Sequence, residues 1–205
     1  MDDMWGVIAT ERGALAEDLG GLDDAAWDTR SLCEDWTVRD VVAHMIATAE
    51  MTPPKFLGRL IGNRFDFQKM TARDIAERRG ASPAAELEHW RAVRDRRTSP
   101  PGPKTSWLGE TIVHSEDVRR PLGLTRAYPR EAVVTAADFY KGSNVLIGSK
   151  KRIEGVALKA TDTDWSHGAG PIAEGPMLSL VLIMTGRRAA LDDVTGDGVE
   201  TLRGR

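Results

Sequence analysis

The 205-residue chain has a single cysteine, Cys33, so it can close no internal disulfide, and a cysteine-based metal cluster is excluded by count. It also lacks a long apolar run. The longest, residues 177–184, falls far short of the roughly 20 residues that span a bilayer. No apolar stretch follows a basic start, so a secretory leader is not expected and a cytoplasmic location is. Charge of one sign is missing too. A formal net charge of −3 gives no global electrostatic reason to expect nucleic acid as a partner, and with no spanning run no membrane partner is expected either. Repeats and low-complexity tracts are absent. What remains is a composition of 41% hydrophobic and 29% charged residues, enough apolar surface for a packed core. Any metal must then be held by histidines and carboxylates.

Turn chemistry divides the first 148 residues into helices. Residues 4–19 have helical apolar spacing, and Gly20-Gly21 stops them. After a loop carrying Trp27, Leu32 and Trp36, Thr37 reads as an N-cap with Asp40 three residues on, a weaker capping box. Val38, Val41, Val42, Met45, Ile46 and Ala49 then mark one apolar face at a period of 3.6. Pro53-Pro54 interrupts or kinks that helix. Thr71 with Asp74 predicts the start of a short helix ending near Gly80, and Ser82-Pro83 starts another that runs through Arg97. Residues 105–120 and 129–147 complete the series. Beyond Gly148 the pattern changes: Val156, Leu158 and Ala160 alternate as in a strand, 164–170 is turn-like, and an apolar helix follows Gly175-Pro176. The fold class expected is mainly α, a helix bundle over 1–148 joined to a small α/β domain over 149–205. The second part is too small to be more than marginal alone.

On the helix predicted over 105–120, Glu110, His114 and Asp117 stand at i, i+4 and i+7, within one stripe bordered by Trp107 and Val118. A Glu and a His one turn apart can reach one ion, and Asp117 can accept the other ring N–H of His114. Spacing alone leaves a plain Glu110–His114 ion pair open. His44 lies at the edge of the second helix's apolar stripe, where it is either a third ligand or a histidine packed between helices. His89 sits among charges on a solvated helix, and His167 in a glycine-rich turn.

The wording of two segments adds to this. Residues 33–44, Cys-Glu-Asp-Trp-Thr-Val-Arg-Asp-Val-Val-Ala-His, resemble the start of the metal-bearing helix in the mycothiol-dependent maleylpyruvate isomerase family, within the DinB-like metal-binding helix bundles. Residues 109–123, Gly-Glu-Thr-Ile-Val-His-Ser-Glu-Asp-Val-Arg-Arg-Pro-Leu-Gly, resemble that family's second metal segment. Glu174-Gly175-Pro176 and the run to Thr185-Gly186-Arg187 look like its small C-terminal domain. The resemblance implies a DinB-like four-helix bundle and a divalent metal on His44, Glu110 and His114. Zinc suits these ligands, and nickel, manganese or iron fit them as well. It implies mycothiol as cofactor or co-substrate and a small electrophile as the other partner. It also implies Arg187 as a substrate-orienting group. Three protein ligands leave a coordination position open, the layout of a catalytic site. The chemistry implied is isomerase or thiol-transferase, with a metal-dependent hydrolase and a non-catalytic metal- or ligand-binding protein as alternatives. Cys33 reads as a small packed residue, since the implied thiol is diffusible. Substrate and oligomeric state are not legible.

Overall fold

A computed structural model describes residues 3–33, 35–145 and 147–205. Glu34, in the first motif, and Leu146, in the helix expected to reach 147, lie outside the described residues. The elements run α1 (Met4–Gly20), α2 (Val38–Glu50), α3 (Pro53–Gly62), α4 (Phe67–Arg78), α5 (Pro83–Val93), α6 (Lys104–Arg119), α7 (Arg130–Tyr140) and α8 (Ser149–Arg152). Then come β1 (Ala157–Ala160), β2 (Ser166–His167), β3 (Ile172–Gly175), α9 (Met177–Met184) and α10 (Gly198–Arg203). Two compact units result. One takes the chain up to 107 together with 114–126, and the other takes 108–113 together with 127–205. Helix α6 thus contributes to both.

The first unit is the bundle. Its core joins Leu15, Ala16 and Leu19 of α1, the predicted stripe of α2, Leu87, Trp90 and Val93 of α5, and Val118 of α6. The stripe packs as its spacing requires, with Val38, Val41, Val42, Met45, Ile46 and Ala49 all buried. The start of α2 is set by a full capping box. Thr37 N–H donates to Asp40 Oδ2 at 3.0 Å, and Asp40 N–H donates to Thr37 Oγ1 at 3.3 Å.

Two helix starts differ from the sequence reading. Pro53 opens a separate helix, because a proline at the first helical position lacks only an N–H that would be unpaired there anyway. Helix α4 begins at Phe67 rather than near Thr71, because the Asp66 carboxylate accepts the Lys69 N–H at 2.9 Å and caps it earlier. Thr71 is left inside the helix. Helices α5 and α7 also stop short of the expected 97 and 147.

In the second unit, β1 pairs antiparallel with β2 and parallel with β3, giving the order β2-β1-β3. Leu158, Ala160 and Ala173 are buried in this sheet, with α9 also buried along nearly its whole length. The fold is mainly helical with a small three-stranded sheet in its C-terminal region, the class expected.

Candidate metal centre

Helix α2 presents His44, and α6 presents Glu110 and His114 on successive turns. One ligand atom from each lies within 4.8 Å of the others, and all three residues are half-buried. Ligands placed tetrahedrally about a divalent cation at ordinary N and O distances stand about 3.3 Å apart, so small side-chain adjustments bring all three onto one ion. Two imidazole nitrogens with one carboxylate form a donor set suited to a borderline cation. The residues present therefore fit the divalent metal that the family resemblance implies.

Asp117 is fully buried, and its Oδ2 accepts the His114 Nδ1–H at 2.8 Å. With Nδ1 committed, Nε2 is the nitrogen of His114 left for an ion. The Asp117 backbone carbonyl accepts the Leu32 N–H at 3.2 Å, tying the loop before α2 to α6. That loop is further closed by Ser31 N–H to Trp36 O at 2.9 Å and Trp36 N–H to Cys33 O at 3.1 Å, with Asp35 in left-handed backbone.

The loop delivers Trp36 to the two histidines. Its ring centroid lies 5.0 Å from that of His44 and 6.1 Å from that of His114, and the two imidazoles stand 4.9 Å apart edge to face. Trp36 was legible as a loop aromatic inside a motif, but not as a wall of the site. Its place directly before the Thr37 cap, two turns ahead of His44, was the available signal. Cys33 is half-buried against the core, in keeping with a packing role.

Immediately before Glu110, Gly109 faces Tyr140. A Cβ at that position would lie 2.7 Å from the Tyr140 ring and hydroxyl, so the tyrosine packs where only glycine leaves room. The basic pair closing α6 is engaged in ion pairs. Arg119 is buried with Nε 2.6 Å from Asp18 Oδ2, and Arg120 pairs with Glu116 at 3.1 Å.

Arg187 follows α9 in the second unit, half-buried, with Nη1 donating to the Thr185 carbonyl at 2.8 Å. Burial, with the Arg187 charge beside it, holds the Arg152 guanidinium below its ordinary range. His89 is less solvated than its sequence neighbours suggested, because its Nε2 meets Glu50 Oε1 at 3.1 Å. His167 lies on β2, its pKa lowered by burial and by the Lys141 charge.

Residues 8–139 match the family model described as the mycothiol maleylpyruvate isomerase N-terminal domain. No curated protein matches the chain. A crystal structure of a histidine-to-alanine mutant of the mycothiol-dependent maleylpyruvate isomerase is similar with a TM-score of 0.67 at 18% identity, over 96% of this chain and 92% of that one. A second crystal structure of the mycothiol-dependent maleylpyruvate isomerase aligns with a TM-score of 0.63 at 17% identity over the same shares.

Proposed function

The chain belongs to the mycothiol maleylpyruvate isomerase family, and from that membership we propose that it is a metal- and thiol-dependent enzyme, an isomerase or S-transferase acting on a small electrophile. The observation that carries the reading is the convergence of His44, Glu110 and His114 ligand atoms within 4.8 Å. A divalent cation held there supplies a positive charge that stabilises a thiolate near neutral pH. His44 and His114 provide neutral nitrogens, and Glu110 provides one negative charge that partly offsets the cation. Asp117 holds the His114 ring in one tautomer. Trp36 covers one side of both imidazoles and keeps water from that side. The thiolate would add to a conjugated double bond, the π electrons moving onto the conjugated carbonyl as an enolate. After rotation about the new single bond, return of those electrons would expel the thiolate unchanged in an isomerase, whereas protonation of the enolate carbon from solvent would leave it attached in a transferase. Arg187 is proposed to orient an anionic group of the substrate, a role that rests on the Thr-Gly-Arg resemblance.

Elemental analysis of the purified protein after metal supplementation tests the premise. The expected result is about one equivalent of metal, lost in His44→Ala and in His114→Ala. Equal metal content in wild type and both variants overturns the site. Turnover of an electrophile panel then separates the chemistries. Dependence on added mycothiol supports this reading, whereas metal-dependent turnover without thiol makes the protein a hydrolase.

A further inference from the structure

The bundle unit carries an apolar face for which neither the metal site nor the core has a use. Among the described residues the large exposed apolar side chains are Leu57, Ile61, Phe65, Phe67, Val145, Ile147 and Ile172, and four of these seven lie between positions 57 and 67. Helix α3 buries none of its residues. Leu57 and Ile61 stand one turn apart on the same face. The chain then turns through Arg64 and Phe65, both in left-handed backbone at φ 57° and 63°. That conformation is unfavourable for residues other than glycine, so it persists only where surrounding structure enforces it. Here Arg64 N–H donates to Ile61 O at 2.9 Å and Phe65 N–H to Leu60 O at 2.8 Å. The Phe65 side chain, 69% exposed, is therefore presented to solvent by a hydrogen-bonded turn.

Charge around this face is one-sided. Between 53 and 73 the chain has Lys55, Arg59, Arg64, Lys69 and Arg73 against the single acid Asp66, in a protein of net charge −3. Asp66 is occupied as the cap of α4, and Arg59 is tied to Asp74 and Glu77. Lys55, Arg64, Lys69 and Arg73 are exposed along the same stretch of chain, Lys55 donating to the Glu50 carbonyl at 3.5 Å and Arg73 to Asn63 Oδ1 at 3.3 Å.

We propose that α3, the turn after it and the start of α4 form a docking surface for an anionic phospholipid bilayer. Leu57, Ile61, Phe65 and Phe67 enter the boundary between headgroups and acyl chains, and the four exposed cations meet lipid phosphates. A second copy of the chain fits this face poorly, because a two-fold contact sets the same cations against each other. A nucleic acid satisfies the cations but leaves the apolar side chains without a partner. The sequence expectation of no membrane partner rested on the missing span, and peripheral docking does not require one.

Co-sedimentation at low ionic strength tests this, with vesicles of phosphatidylcholine alone and vesicles enriched in phosphatidylglycerol. The wild-type protein is expected to pellet with the anionic vesicles and stay soluble with the neutral ones, and added salt should release it. Leu57→Ser/Phe65→Ser and Lys55→Glu/Arg64→Glu double variants should each weaken binding by about tenfold or more, with thermal melts unchanged because these side chains are exposed. Equal soluble fractions with both vesicle types overturn the proposal. So does binding that both double variants retain. A wild-type dimer by light scattering that Leu57→Ser/Phe65→Ser makes monomeric also overturns it, by assigning the face to a second copy.

Discussion

His114 and Asp117 stand three residues apart on one helix, and the buried carboxylate of the second accepts a ring N–H of the first at 2.8 Å. The carboxylate thus does more than neutralise a neighbour. In the proposed centre it commits Nδ1 and leaves Nε2 of His114 for the cation, which would make that nitrogen the better donor.

If the proposed centre holds a divalent metal, replacing Asp117 by Asn should weaken its binding by about 10- to 100-fold while the fold persists. Competition against a chromogenic chelator measures this, with far-ultraviolet circular dichroism as the control. An unchanged affinity would remove Asp117 from the site.

Trp36 lies against both imidazoles, so its loss should loosen them together. In Trp36→Ala, metal release to a chelator is expected to quicken on the order of tenfold, and in Trp36→Phe to change much less. Stopped-flow chelation distinguishes the two variants.

Gly109→Ala places a methyl group where Tyr140 already sits at 2.7 Å. A destabilisation of about 1–3 kcal/mol is expected from the overpacking, and chemical denaturation measures it. The double variant Gly109→Ala/Tyr140→Leu should recover part of the loss.

Glu86 is buried completely against Arg39, and burial raises its carboxyl pKa above the ordinary 4.5 despite hydrogen bonds from Arg39 and Gly80 N–H. The folded state accordingly holds the Glu86 proton more tightly than the unfolded state does. Its contribution to stability is full below about pH 4.5 and fades as pH rises through the raised value. Melting temperatures of Glu86→Gln should therefore gain on wild type as pH rises from about 4.5 toward neutrality, and a difference that stays constant across that range would contradict the raised pKa.

Periodicity made much of this legible. The α2 stripe, the Thr37–Asp40 box and the Glu110–His114–Asp117 stripe all follow from spacing along a single helix, where neighbours in space are neighbours in sequence. His44 could be recruited only through the resemblance carried by 33–44, because the meeting of α2 with α6 is a tertiary event that no local pattern encodes. For the same reason Trp36 was visible as a residue of the motif but not as a wall of the site. Helix α4 starts ahead of the Thr71 expected from the sequence because Asp66, five residues earlier, caps it with a 2.9 Å hydrogen bond. The exposed apolar face of α3 could not be read because a short apolar helix looks the same whether it packs or faces solvent.

Asp117 is engaged at both ends, its side chain by His114 and its backbone carbonyl by Leu32 N–H at 3.2 Å. This makes the site a poor candidate for piecemeal transplantation. An α6 segment grafted into another helical scaffold would bring Glu110, His114 and Asp117 in register but leave behind the loop that delivers Trp36. A graft of the loop and α2 alone would lack its anchor. The smallest portable unit is the pair of segments together, and any redesign of one must be made with the other in view.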